Sequence, residues 1–132
     1  MKPRVRLMLL SICIVLVVAL TIIRFYLHRP ANVCGYSTKR EREAALRLDL
    51  ITIRHAIDSY TVDKQELPKS SQDLVDMHYL KNIPIDPFTC KKDWVLPIET
   101  VELGPNQIAT GIVDVHSSSN QSDRDGAAYS TW

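Results

Sequence analysis

Residues 38–64 read TKREREAALRLDLITIRHAIDSYTVDK, and the fold turns on how this stretch is read. Leu46, Leu50, Ile53, Ile57 and Tyr60 recur at steps of four, three, four and three. That spacing marks one stripe of a helix turning about every 3.6 residues. Arg42, Arg47, Asp49, Arg54 and Asp58 fall opposite, so that face is expected to meet water. Thr38 and Glu41 form a capping-box pattern: the hydroxyl accepts from a free backbone N–H and the carboxylate reaches back. Neither Gly nor Pro interrupts the run, and the next Pro is Pro68. At 1.5 Å per residue, about 25 helical residues extend about 37 Å. Such a helix is a spine, and the chain beyond it is expected to cover its apolar stripe.

Upstream, Lys2, Arg4 and Arg6 precede Leu7–Ile23, an apolar run without charge, Gly or Pro. About 17 such residues reach the lower limit for crossing a bilayer, and Phe25, Tyr26 and Leu27 extend the run if Arg24 snorkels. No small-x-small site follows, and no small residue stands directly before Cys34 as a lipoprotein site requires. The expectation is an uncleaved anchor: residues 1–6 cytoplasmic, 7–27 in the inner membrane, 28–37 a hinge, and 38–132 a soluble domain outside. The basic residues ahead of the run favour that orientation. Pro30 and Gly35 punctuate the hinge.

Beyond the spine, Ser70 and Asp73 cap a short helix whose buried side is Leu74, Val75 and Leu80. Pro84 and Pro87 then impose an extended path. WVLPI, VEL and IATGIVDV predict two or three short antiparallel strands packed against the spine, and HSSSNQSDRDGAAYSTW reads as polar loop with a terminal aromatic pair, its Ser run having by composition alone the character of a flexible tail. The predicted class is α+β: a membrane helix, a long spine, a short second helix and a small antiparallel sheet. In a chain of 132 residues with net charge +1, nothing electrostatic points to nucleic acid.

The order of these features resembles the pseudopilins of type II secretion, and among them the major (G-class) members. The resemblance covers roughly residues 40–132. A YxxDxGxxP-like turn is matched by Tyr60, Asp63, Gln65 and Pro68, the last helix by Ser70 or Ser71 through Leu74, and a YLxxIPxDP segment by Tyr79, Leu80, Ile83, Pro84, Asp86 and Pro87. The DVHS run and the terminal aromatic correspond to the family's closing loop. The resemblance implies a pilin-like fold and a structural role through helix packing and domain contacts. Its partners would be other pseudopilins or secretion components and the lipid bilayer, with no nucleic acid and no small-molecule substrate. Family members begin with a basic leader ending in Gly before an FTLIE-like run, whose Glu pairs inside the membrane. Leu7–Ile23 has no preceding Gly and no acidic residue, so the resemblance does not extend to that leader. The alternative function is a membrane-tethered extracytoplasmic binding module that enters no filament.

Asp114, Ser117, Asp123 and Asp125, with Ser119 nearby, are hard oxygen groups within a dozen residues, and Gly126 permits a tight turn. Such groups suit calcium, as the family resemblance also implies, while the plainer reading is a solvated loop of turn-forming residues. Cys34 and Cys90 both fall in predicted loops outside the membrane, where oxidation allows a disulfide; two separate thiols is the other reading. Cys13 lies in the apolar run and is expected to be inert. His55 and His78 lack ligand-spaced partners. Asp114, His116 and Ser117 contain the residue types of a nucleophilic triad, but neighbours in one loop are not a spatial triad, and no enzyme is expected. Trp94, Trp132, Tyr79 and Phe88 are expected to anchor core and loops.

Overall fold

The computed structural model describes residues 13–24 and 34–132, so the remainder of the expected anchor and hinge, 7–12 and 25–33, lies outside the described residues. The chain divides into two compact units, Met1–Ala31 and Asn32–Trp132. In the first, residues 13–24 are helical and apolar up to Arg24, with Ile14, Val15, Val17, Leu20 and Ile23 all exposed. Among the described residues, no helix is long and apolar enough to cross a membrane.

The second unit is built on the spine, Lys39–Lys64. Thr38 is its N-cap, and both arms of the capping box form: Glu41 N–H donates to Thr38 Oγ1 at 3.1 Å, and Thr38 N–H donates to Glu41 Oε2 at 3.2 Å. Leu46, Leu50, Ile53 and Ile57 are buried as their spacing requires, joined by Ala56. Tyr60 is half-buried and meets Tyr79 edge-on, ring centroids 5.4 Å apart. The spine ends at Gln65, which takes a left-handed φ of 55° while its N–H donates to Thr61 O. These contacts satisfy the last turn in the way a C-terminal cap does.

The face opposite the stripe is not the expected one. Arg47 and Asp58 are exposed, but Arg42, Asp49 and Arg54 are half-buried. The residues turned fully outward are apolar instead: Leu48, Ile51 and Val62. The reason is the breadth of the cover. Arg54 meets Asp114, Val115 and Trp132, Arg42 lies over Phe88, and Asp49 lies beside Asn82, Pro84 and Ile85, so these charged positions fall under later parts of the chain.

A short helix, Ser71–Asp76, is capped by Ser70 through the same reciprocal bonds with Asp73, and it buries Leu74. Among the described residues two strands form, β1 (Ile98–Gly104) and β2 (Gln107–Ile112), paired antiparallel as a hairpin. Pro105 and Asn106 make its turn, with Asn106 at φ 63°, a conformation Asn tolerates better than most residues. Trp94–Val95, read as strand, contributes a single bridge between Val95 and His116. The hairpin is also seated differently from the expectation. Its bonds run to the segment after the spine: Ile112 N–H to Pro68 O, Gln107 Nε2 to Gln65 O, and Lys69 Nζ to Thr110 O. Ile112 alone of the strand residues joins the buried core, together with Leu74, Leu80, Phe88, Trp94, Val115 and Tyr129.

The closing segment corrects the expectation of a flexible tail. Ser117, Ser119 and Tyr129 are buried, and Tyr129–Thr131 form a 3-10 turn. Tyr129 stacks on Phe88 with centroids 4.0 Å apart and meets Trp132 edge-on at 4.9 Å. Cys34 and Cys90 are joined as a disulfide with Cα atoms 5.3 Å apart. That bond explains why the compact unit begins near Asn32 rather than at residue 38.

Candidate functional site

Three places concentrate polar groups or exposed apolar surface. The first is the clamp over the closing segment. Arg54 reaches out from the spine, its Nε donating to Asp114 Oδ1 at 2.6 Å. Its Nη2 donates to the backbone oxygens of Val115 at 3.0 Å and Trp132 at 2.7 Å. His116 lies beside the same carboxylate, Nε2 to Asp114 Oδ2 3.4 Å, and its Nδ1 is 3.1 Å from Trp132 O. Burial would raise the Asp114 pKa, but hydrogen bonds from Arg54 and the Val115 N–H, with the guanidinium charge, hold it below the usual carboxylate range. Arg47 lies over the Trp132 ring at 4.4 Å, and Arg42 over Phe88 at 5.2 Å.

Arg54 was expected to be a solvated surface charge, for which replacement would matter little. With three acceptors held across 60 to 78 residues of sequence, Arg54→Ala is instead expected to cost about 1–3 kcal/mol. Urea denaturation of the full chain measures this, with Asp58→Ala, on the exposed face, as the control expected to stay within about 0.5 kcal/mol. Equal losses at the two positions would mean that the clamp contributes nothing.

Of the four residues expected to hold calcium, three have side-chain partners within the fold. Asp114 is paired with Arg54. Ser117, fully buried, donates its Oγ to Asp86 Oδ2 at 2.5 Å. Asp123 Oδ1 accepts from the N–H groups of Asp125 and Ala127, both at 2.9 Å, closing a local turn. The Asp125 side chain is exposed. Among the described residues, no three His, Cys, Asp or Glu side chains are grouped to hold a metal ion. Nor do Asp114, His116 and Ser117 converge, because the Ser117 hydroxyl is turned inward to Asp86 rather than toward the imidazole. His55 and His78 are exposed.

Asp86 is the residue that sequence reading undervalued. It is fully buried, and its Oδ1 accepts from Phe88 N–H at 2.8 Å while its Oδ2 accepts from Ser117. A carboxylate so placed ties the 84–90 turn to the closing segment. Its signal was an Asp set between Pro84 and Pro87, where an Asx turn is the natural use. Tyr129 was likewise missed; its hydroxyl donates to Glu43 Oε1 at 2.7 Å, and burial together with that bond raises its pKa.

The second place is a cavity beside the disulfide, lined by Cys34, Tyr36, Asp49, Asn82, Pro84, Ile85 and Cys90. Asp49 enters it from the spine. Its pKa is pushed up to about 6, first by burial and then by the charge of Asp86. The third place is the outward face of the spine, with Leu48, Ile51 and Val62. Comparison with protein-family models, curated proteins and solved structures finds no match to this chain.

Proposed function

We propose that the chain is a membrane-anchored, pilin-like structural subunit of type II secretion that works by helix packing and contact between domains. The spine carries this reading. It buries one stripe under its own domain and leaves a second apolar row, Leu48, Ile51 and Val62, 64–69% exposed along 26 residues of helix. A helix with an inward and an outward apolar row suits packing against neighbouring helices. Two features add support. Residues 13–23 are helical and carry no charge, the pattern of a segment that lies in lipid or between other helices. Gln65 adopts φ 55° where the family's turn has Gly, so the backbone is bent as that glycine would bend it.

Cysteine placed at Leu48 or Ile51 and oxidised in intact membranes is expected to give covalent pairs with a second copy or another pilin-like subunit. Cysteine at Asp125, on the exposed closing loop, is expected to give none. Deleting the gene is expected to hold exported proteins back in the cell envelope. Monomer alone at both spine positions, with export unaffected, would sink this reading in favour of a tethered module that enters no filament.

A further inference from the structure

The cavity beside the Cys34–Cys90 bond belongs to none of the contacts that the proposed role uses. Its volume is about 380 Å³, within the range of small-ligand sites. Its walls are stiff: a disulfide on one side, Pro84 on another, and the capped spine behind. Its polar groups meet solvent rather than protein partners: Asn82 is exposed, and Tyr36 and Asp49 are half-buried. Asp49, Tyr36 and Asn82 line it, and none of the three has a side-chain hydrogen bond within the described residues, although Asp49 is half-buried.

The contrast with Asp86 is informative. Both carboxylates lie close enough for the charge of Asp86 to act on Asp49. Asp86 is provided for, with a hydroxyl and a backbone N–H as donors. Asp49 has no donor, and the ion pairs among the described residues, Arg54 and His116 with Asp114, leave both carboxylates without a cation. A half-buried anion near a second anion is less favourable than a fully solvated one, and a positive group would relieve it. The cavity gives such a group access to Asp49.

We propose that this cavity binds an organic cation, an alkylammonium or guanidinium group, with Asp49 as its counter-ion. The Asn82 carbonyl and the Tyr36 hydroxyl offer further acceptors for N–H donors, and Pro84, Ile85 and the disulfide sulfurs receive the aliphatic stem. The cation comes from a free amine or from a lysine or arginine side chain on another protein; the chemistry is the same.

Titration calorimetry of the full chain in detergent tests this with n-butylammonium and n-butylguanidinium, against butanol and butyrate as neutral and anionic controls. Saturable, millimolar binding of the cations alone is expected. Asp49→Asn is expected to weaken it at least about tenfold while leaving the melting temperature at pH 7.5 equal or higher, because the unpaired charge is gone. A merely structural aspartate would show the opposite, a lower melting temperature and no binding to lose. Asn82→Lys is expected to fill the site from within, raising the melting temperature and blocking the probe. A short acetylated peptide containing lysine separates the sources: tighter binding than butylammonium assigns the site to a protein partner, and equal or weaker binding assigns it to a free amine. Absence of saturable binding, or binding unchanged in Asp49→Asn, overturns the proposal.

Discussion

Gly111→Val is expected to be the most damaging single change in the second unit. A Cβ at this position would sit 2.5 Å from Leu67 Cβ, 2.7 Å from the Pro68 carbonyl oxygen and 3.0 Å from the Leu67 carbonyl carbon. Two of those three neighbours are backbone atoms, which have no rotamer to change. The hairpin has to move, and moving it breaks the Ile112 N–H to Pro68 O bond at 2.8 Å and withdraws Ile112 from the core. Overpacking of this kind costs about 1–3 kcal/mol for a methyl that the surroundings absorb, and valine at a backbone contact is expected to exceed about 3 kcal/mol. Gly104→Ala, in the same hairpin, supplies the control, since its nearest neighbour is a Gln107 side-chain oxygen at 3.9 Å. Denaturant midpoints of the two variants decide the matter; similar losses would mean that the hairpin is not seated through Gly111.

Loss of the disulfide is the second large effect. The bond closes a segment of 56 residues that includes the entire spine. In the chain-entropy description, a loop of that length stabilises by about 4 kcal/mol, and removal of a native bond from a small domain costs about 2–5 kcal/mol. Cys34→Ser with Cys90→Ser is expected to lower the unfolding free energy by that amount, and reductant is expected to reproduce it in the wild type. Thiol counting gives an independent check. Of three cysteines, Cys13 alone is free, so one thiol is expected to react in the unfolded, unreduced chain and three after reduction. Three reactive thiols before reduction would exclude the bond.

The spine and both capping boxes were legible because their determinants are local. A 3.6-residue period and an S/T-x-x-D/E pattern involve side chains one turn apart, and Leu46, Leu50, Ile53 and Ile57 behave as that period demands. What could not be read depends on partners far along the chain. The closing segment looks solvated by composition, yet Ser117 is buried because Asp86 lies 31 residues upstream to accept its proton. Arg54 looked like a surface charge because its acceptors, Asp114 and the Val115 and Trp132 carbonyls, have no mark in the local pattern. The cysteine pair stood open for the same reason: distance between two loops is a property of the tertiary fold, and 5.3 Å between Cα atoms is not written in spacing. In the cavity, Asp49 sits on a helix flank where an acidic residue is unremarkable until Asp86 and the disulfide close around it.

Tyr129 joins a late part of the chain to the start of the spine. It is fully buried, and its hydroxyl is bonded to Glu43, 86 residues earlier. The spine can coil as soon as it is made, but the side of it that Tyr129 and Phe88 cover stays open until residue 129 has been synthesised. At 5–20 residues per second, that interval is roughly 4–17 s. For those seconds a nascent chain offers Leu46 and Leu50, together with the permanently outward Leu48 and Ile51, on one uncovered helix. The newborn chain therefore passes through a stage in which more of its apolar helix surface is uncovered than in the folded unit.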